Sequence, residues 1–153
     1  MEPNYVYRCK VLRVVDGDTL DVDLDLGFSV RLLSRVRLMG IDTPESRTRN
    51  LHEKKLGLAA KARLKELISE AMPLPGKRGR KDIAIKTAKV GRGKFGRILA
   101  SLLVNGLDCN EILINEDHAR RYFGGSKGEF GPWTKVECGQ VYRWTSQGYE
   151  EVR

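Results

Sequence analysis

The chain has 153 residues, 41% of them hydrophobic, with 28 Lys and Arg against 20 Asp and Glu for a net charge of +8. That is enough chain for one domain, and enough apolar content for a core, so a disordered chain is excluded. No apolar run approaches the roughly 20 residues of a membrane-spanning helix, so no membrane role is expected.

Residues 5–15 alternate as a strand, residues 20–24 form a second, and Gly27 ends the hairpin. Residues 28–41 read as a third strand, rich in Leu and β-branched residues and bent. Residues 46–51 are polar and basic without periodicity, which predicts a mobile loop. Residues 53–71 predict a helix. Ala60, Leu64, Leu67, Ile68 and Ala71 recur at helical spacing, and Lys54, Lys61, Lys65 and Glu66 face elsewhere. Met72-Pro73-Leu74-Pro75-Gly76 stops it. Residues 82–89 and 97–104 predict two more strands, with a turn at Gly91-Arg92-Gly93 and a stop at Asn105-Gly106. Residues 110–115 predict a short helix. After Gly124-Gly125, Trp133, Tyr142, Trp144 and Tyr149 crowd into a stretch broken by glycines. It reads as a small hairpin packing on the domain, or as an aromatic platform on which bases stack. The expected fold is α+β, mainly β: a five-stranded OB-type barrel with one long inserted helix, a short C-terminal helix and an extra C-terminal hairpin. The expected division is a domain over residues 1–124 and an extension over residues 125–153.

Cys9, Cys109 and Cys138 are three in number and widely spaced, which fits free thiols in a reducing compartment. Without a Cys-x-x-Cys pair, and with only His52 and His118 as imidazoles, a zinc site is not expected. The first ten residues, MEPNYVYRCK, contain no apolar signal segment, so a cytoplasmic location is expected.

Chemistry concentrates in residues 15–45. Asp18 stands in Asp16-Gly17-Asp18-Thr19, and Asp42 in Ile41-Asp42-Thr43-Pro44-Glu45, with Arg37 five residues before it. Acids that could hold a hard cation, a spare carboxylate and arginines are what phosphodiester hydrolysis requires. Pro44 pushes Thr43 toward an extended conformation, so backbone carbonyls there can turn outward as ligands. Asp16 and Asp18 share the parity of Leu20, Val22 and Leu24, so a continuous strand would place Asp18 at its end, near the core rim. Each tetrapeptide also has a plainer reading. Asp-Gly-Asp-Thr suits a polar turn, and Asp-Thr-Pro-Glu suits a helix entry. Asp21, Asp23 and Asp25 alternate with apolar residues and belong to a solvated strand face.

The positive charge is local. Residues 75–97 hold nine basic side chains against one acid, Asp82, and so carry the whole excess. Such a patch suits a polyanion, although a solvated loop would look the same. Lys77, Arg78, Arg80, Lys81 and Lys94 are the candidate nucleic-acid contacts.

Taken together and in this order, Val15-Asp16-Gly17-Asp18-Thr19, the run from Arg37 to Glu45, Lys94-Phe95-Gly96-Arg97 and Asn110-Glu111 resemble the staphylococcal-nuclease-like (thermonuclease) family over residues 5–122. The resemblance implies a calcium-dependent nuclease acting on DNA or RNA and leaving 3′-phosphate ends. It implies Asp18 and Asp42 as carboxylate ligands of Ca²⁺ and the Thr43 carbonyl as a third. Arg37 and Arg97 would bind the phosphate and its developing charge. Glu45 would be the general base, or the group orienting the attacking water. Tyr122 and Phe123 loosely represent the family's aromatic pair, and Phe95 stands where its type member has tyrosine. A non-catalytic nucleic-acid-binding OB module is the alternative, and an accessory protein using the C-terminal hairpin as a partner surface is a third.

Overall fold

The computed structural model describes residues 5–87, 96–122 and 130–152. Three antiparallel strands open the chain: β1 (Val6–Asp16), β2 (Thr19–Asp25) and β3 (Arg31–Leu38). A short β4 (Ile41–Asp42) leads to helix α1 (Leu51–Ser69). Then come β5 (Ile83–Lys86), β6 (Ile98–Val104), β7 (Leu107–Asp108), α2 (Cys109–Asn115) and β8 (Arg120–Arg121). The order β3-β2-β1-β5-β6 closes on itself because β3 pairs in parallel with β6, through Val36↔Ile98, Arg37↔Leu99 and Leu38↔Ala100. This closed five-stranded barrel with one long inserted helix is the OB-type α+β fold the sequence predicts. Closure removes the open sheet edges.

Alternation builds the core. Leu20, Val22 and Leu24 of β2, Val36 and Leu38 of β3, and Ile85, Ala100 and Leu102 are 2% exposed or less. Each such Leu, Ile or Val is worth about 1.5–3 kcal/mol of burial. Helix α1 adds Leu64 and Leu67 to the same cluster.

The structure differs from expectation in four places. The third strand does not run from residue 28. Gly27, Phe28 and Ser29 all have positive φ and form the hairpin tip, so β3 begins at Arg31. It also breaks at Gly40, whose φ of 78° turns the chain before Ile41–Asp42 pairs with β8. Residues 46–51 are not a loose loop. Ser46 is buried and donates a hydrogen bond to Asp16, and Asn50 caps α1 by accepting from the His52 and Glu53 backbone amides at 3.1 Å. An asparagine cap satisfies otherwise orphaned amides, so the helix starts at Leu51 and not at Asp-Thr-Pro-Glu. Finally, the C-terminal piece is a three-stranded meander: β9 (Thr134–Glu137), β10 (Gln140–Thr145) and β11 (Gly148–Glu151). The expected hairpin lacked the third strand because Ser146-Gln147 makes a second tight turn, with Thr145 opposite Gly148. The predicted turn at Gly91-Arg92-Gly93 lies outside the described residues.

Candidate active site

The turn Gly17-Asp18 joins β1 to β2, with Asp16 opposite Thr19. Asp18 therefore belongs to a two-residue turn, and the parity argument for its direction does not apply. Its placement comes from hydrogen bonds: Oδ1 accepts from Thr19 Oγ1 at 2.9 Å, Oδ2 from the Thr43 amide at 3.1 Å, and its carbonyl from the Leu38 amide at 2.8 Å. Thr19 lies opposite Arg37 in the β2–β3 register. That pairing puts the Arg37 guanidinium 3.2 Å from Asp18 and 3.7 Å from Asp42. All three are nine-tenths buried or more, with Asp18 8%, Arg37 9% and Asp42 6% exposed. Removing one partner from such a set leaves a buried charge uncompensated, at a cost of about 3–5 kcal/mol.

Helix α1 forms the floor beneath these residues. A Cβ on Gly57 would lie 2.4 Å from the Glu45 carbonyl oxygen, and a Cβ on Gly17 would lie 2.8 Å from the Ala60 Cβ. Glycine at 57 lets the helix lie directly against the Pro44–Glu45 backbone, and glycine at 17 lets the β1–β2 turn approach the Ala60 and Thr43 side chains. Asn110 of α2 holds the other side. It donates to the carbonyl of Met39 at 2.9 Å and accepts from the Leu102 amide at 3.2 Å, fixing the bend before Asp42.

Among the predicted residues, the structure brings together Asp18, Arg37, Asp42 and Thr43. Glu45 is exposed and lines a cavity of about 360 Å³ together with Asp42, Thr43, Arg120, Pro132 and Trp133. Arg97 is half-buried just before β6, two residues from Leu99, which pairs with Arg37. Tyr122 is half-buried, and its amide donates to the Gly40 carbonyl at 2.9 Å, close behind Asp42. Lys94, Phe95 and Phe123 lie outside the described residues. The basic segment falls elsewhere. Arg80 pairs with Asp25 at 2.8 Å, and Asp25 closes β2 six residues beyond Thr19. By the rise of a strand, Lys77, Arg78, Arg80 and Lys81 therefore sit about 20 Å from Asp18. A larger cavity of about 510 Å³ opens at that end, over Val11, Ile68, Leu74 and Ile83. Its two acids, Asp23 and Asp25, are paired with Arg31 and Arg80, and Arg8, Lys10 and Lys81 leave its lining net basic, unlike the smaller cavity, where Asp42, Glu45 and Glu53 gather.

No motif or spacing pointed to Arg120. In the β4–β8 ladder it stands opposite Asp42, and it is 5% exposed. Its guanidinium lies 4.1 Å from the Trp133 ring, and Nη1 donates to the Gly131 carbonyl at 3.0 Å. Burial pulls its pKa below the ordinary arginine value, and the negative charge of Asp42 opposes that shift. Trp133 is itself buried and meets Trp144 edge-on at 5.4 Å, so these rings are packing elements and not an open platform for bases. The one available signal was a cluster of C-terminal aromatics that requires a partner.

Thiol chemistry has no support at half-buried Cys9 or buried Cys109, since desolvation pushes both up to about 12. The oxygens fit a hard cation. Two carboxylates converge, and Thr43 Oγ1 is buried beside them with no hydrogen-bond partner among the described residues. No group of three or more His, Cys, Asp and Glu side chains gathers there among the described residues. A cation would thus keep positions for water and substrate.

The staphylococcal nuclease homologue family matches residues 35–131. The chain belongs to that family. The matched span holds Arg37, Asp42, Glu45, Arg97 and Arg120, and Asp18 precedes it. The chain is 33% identical over 105 residues to an uncharacterized protein of Bacillus anthracis, covering 68% of this chain and 42% of that protein. It is also 33% identical over 109 residues to the SPbeta prophage-derived endonuclease YokF of Bacillus subtilis (strain 168), covering 71% of this chain and 32% of that protein. The chain therefore spans less than half the length of these curated relatives.

Proposed function

We propose that this chain is a calcium-dependent nuclease that hydrolyses phosphodiester bonds of DNA or RNA and leaves 3′-phosphate ends. The observation that carries the reading is the buried Arg37 guanidinium held between Asp18 and Asp42 at 3.2 and 3.7 Å. A module that only binds nucleic acid needs surface cations and has no use for buried carboxylates beside an arginine. The relative named as an endonuclease supports the same class.

Asp18, Asp42 and the Thr43 carbonyl would hold the cation, which supplies positive charge to the phosphate oxygens when bound. Arg37 and Arg97 bind the phosphate and compensate the charge that develops on its equatorial oxygens, in a site shielded from water. Glu45, exposed on the cavity, takes the proton of a water as its oxygen bonds to phosphorus. The bond from phosphorus to the 5′ oxygen breaks, and that oxygen leaves as a 5′-hydroxyl by taking a proton from solvent water, while Glu45 later returns its own proton to solvent. Tyr122, two residues beyond Arg120, would contact the nucleic acid. Lys77, Arg78, Arg80, Lys81 and Lys94 would attract the polyanion from a distance.

The test is incubation with single- and double-stranded DNA and with RNA, in Ca²⁺ or in EDTA, with end-group analysis. Cleavage in calcium alone, giving 3′-phosphate ends, is expected. Retention of the nucleic acid without cleavage in any divalent cation would favour the binding module instead.

A further inference from the structure

Among the described residues, the C-terminal sheet and the segment leading into it meet the rest of the domain at the turn after α2 and at the cavity of Asp42 and Glu45. Arg143 donates to the Asp117 carbonyl at 3.2 Å, and the Ser146 amide donates to Asp117 Oδ1 at 3.1 Å. The second place is the cavity of Asp42 and Glu45, whose far wall is Gly131, Pro132 and Trp133. That wall is rigidly built. The Tyr149 hydroxyl donates to the Pro132 carbonyl at 2.7 Å, and the Trp144 amide donates to the Trp133 carbonyl at 2.7 Å. Gly131 has φ +80°, and a Cβ there would lie 2.8 Å from the Tyr149 hydroxyl, so any other residue would be strained and would displace that hydroxyl.

This wall holds Arg120. Three rings surround its guanidinium, Trp133 at 4.1 Å, Trp144 at 5.5 Å and Phe130 at 5.8 Å. A guanidinium taken out of water regains part of that loss from ring faces and from carbonyl acceptors whose geometry its planar fork matches. The opposing need is electrostatic. Asp42 and Glu45 share one cavity, and Glu53 borders it. Like carboxylates repel strongly once water is excluded. Arg37 compensates Asp42 from the barrel side, and Arg120, directly across the β4–β8 ladder, compensates from the other.

We propose that the C-terminal sheet is a working wall of the catalytic cavity, in which Trp133 and the Gly131 carbonyl hold Arg120 as a positioning residue for the carboxylates of Asp42 and Glu45. This rests on the nuclease reading above. The sheet acts through Arg120 on the acids, and not as a separate binding surface.

The experiment compares wild type with Arg120→Met, Arg120→Lys, Trp133→Phe and Trp133→Ala. It measures kcat and KM on a short single-stranded DNA at saturating Ca²⁺, calcium affinity by calorimetry without DNA, and thermal unfolding. Misplacement of catalytic groups by about 1 Å costs on the order of a hundredfold in rate, so kcat falls by roughly tenfold to a hundredfold in Arg120→Met and Trp133→Ala with little change in KM. Arg120→Met also binds calcium more tightly than wild type, because a cation beside Asp42 is gone. Trp133→Phe keeps a smaller ring face and loses less kcat than Trp133→Ala. Should Arg120→Met fail to fold, Arg120→Lys carries the test: it keeps the charge, loses the planar fork, and loses kcat at unchanged calcium affinity. Full turnover in Arg120→Lys and Trp133→Ala would overturn the proposal. So would kcat and calcium affinity falling together with thermal stability, the pattern of a merely structural residue. A wild type that cleaves nothing with any divalent cation would instead overturn the nuclease reading, and this inference with it.

Discussion

At the Thr19 end of β2, charged side chains are buried and tied to one another: Asp18, Arg37 and Asp42 are all less than a tenth exposed and within 3.7 Å of a partner. At the Asp25 end the charges are more numerous and open to water. Lys77, Arg78, Arg80 and Lys81 are all exposed, and of the four only Arg80 makes an ion pair among the described residues. The first arrangement is costly to build and tightly constrained, as buried ions require mutual compensation. The second costs little and constrains little, as exposed ion pairs are worth about 0–1 kcal/mol. The basic run from Lys77 to Lys81 draws attention to the second end; of the other basic residues in 75–97, Arg97 lies just before β6, and Lys89, Arg92 and Lys94 lie outside the described residues. The proposed chemistry belongs to the first end, where the local sum is nearly neutral but the geometry is fixed.

The sharpest way to break this contrast is Asp42→Asn, which keeps volume and removes one carboxylate. Cleavage in calcium is expected to fall below detection, measured against wild type on the same DNA, and EDTA should do the same to wild type. Next comes Glu45→Gln. A general base is worth about 10²–10⁴ in rate, so turnover should fall by that factor while calorimetry finds calcium and nucleotide affinity nearly intact. An equal fall in calcium affinity would make Glu45 a ligand.

Gly57→Ala tests whether the helix floor positions the site. Alanine is favoured over glycine inside a helix by about 1 kcal/mol. Here its methyl would meet the Glu45 carbonyl oxygen at 2.4 Å, and overpacking typically costs about 1–3 kcal/mol. The melting temperature and kcat should therefore both fall, despite the gain in helix propensity.

How much of this was legible in the sequence divides along the same line. Alternation in Leu20, Val22 and Leu24 and helical spacing in Ala60, Leu64 and Leu67 report burial directly, so the barrel strands and α1 were readable. The pairing of Asp18 with Arg37 was approachable because Asp18 sits in the turn between two long periodic strands and Arg37 lies on a third. The partnership of Arg120 with Asp42 and Trp133 was not. It depends on two-residue strands, β4 and β8, too short for any period, and on a turn geometry at Gly131 that no spacing encodes. The distance between the basic segment and the acids was equally hidden, since it follows from which end of β2 each one meets.

Smaller effects sharpen the contrast further. Neutralising Lys77, Arg78, Arg80 and Lys81 together should weaken DNA binding without lowering kcat. The log–log salt slope should fall by about 0.7–0.9 for each phosphate that is no longer neutralised. Unchanged binding would reduce that end to a solvated loop. The smallest effect lies at His118. Burial holds its pKa below the ordinary 6.5, against the raising effect of Glu116. The unfolded chain therefore binds the proton first as pH drops, and stability falls with pH below about 6.5. His118→Gln should flatten that part of the denaturation-against-pH curve.

Single-turnover cleavage at saturating calcium, followed across DNA concentration for Asp42→Asn and for the quadruple Lys77, Arg78, Arg80 and Lys81 variant, tests the division between the two ends most directly. The expected result is a lost rate with DNA affinity kept in the first, and a lost affinity with maximal rate kept in the second. A lost maximal rate in the quadruple variant, or undiminished cleavage by Asp42→Asn, would contradict it.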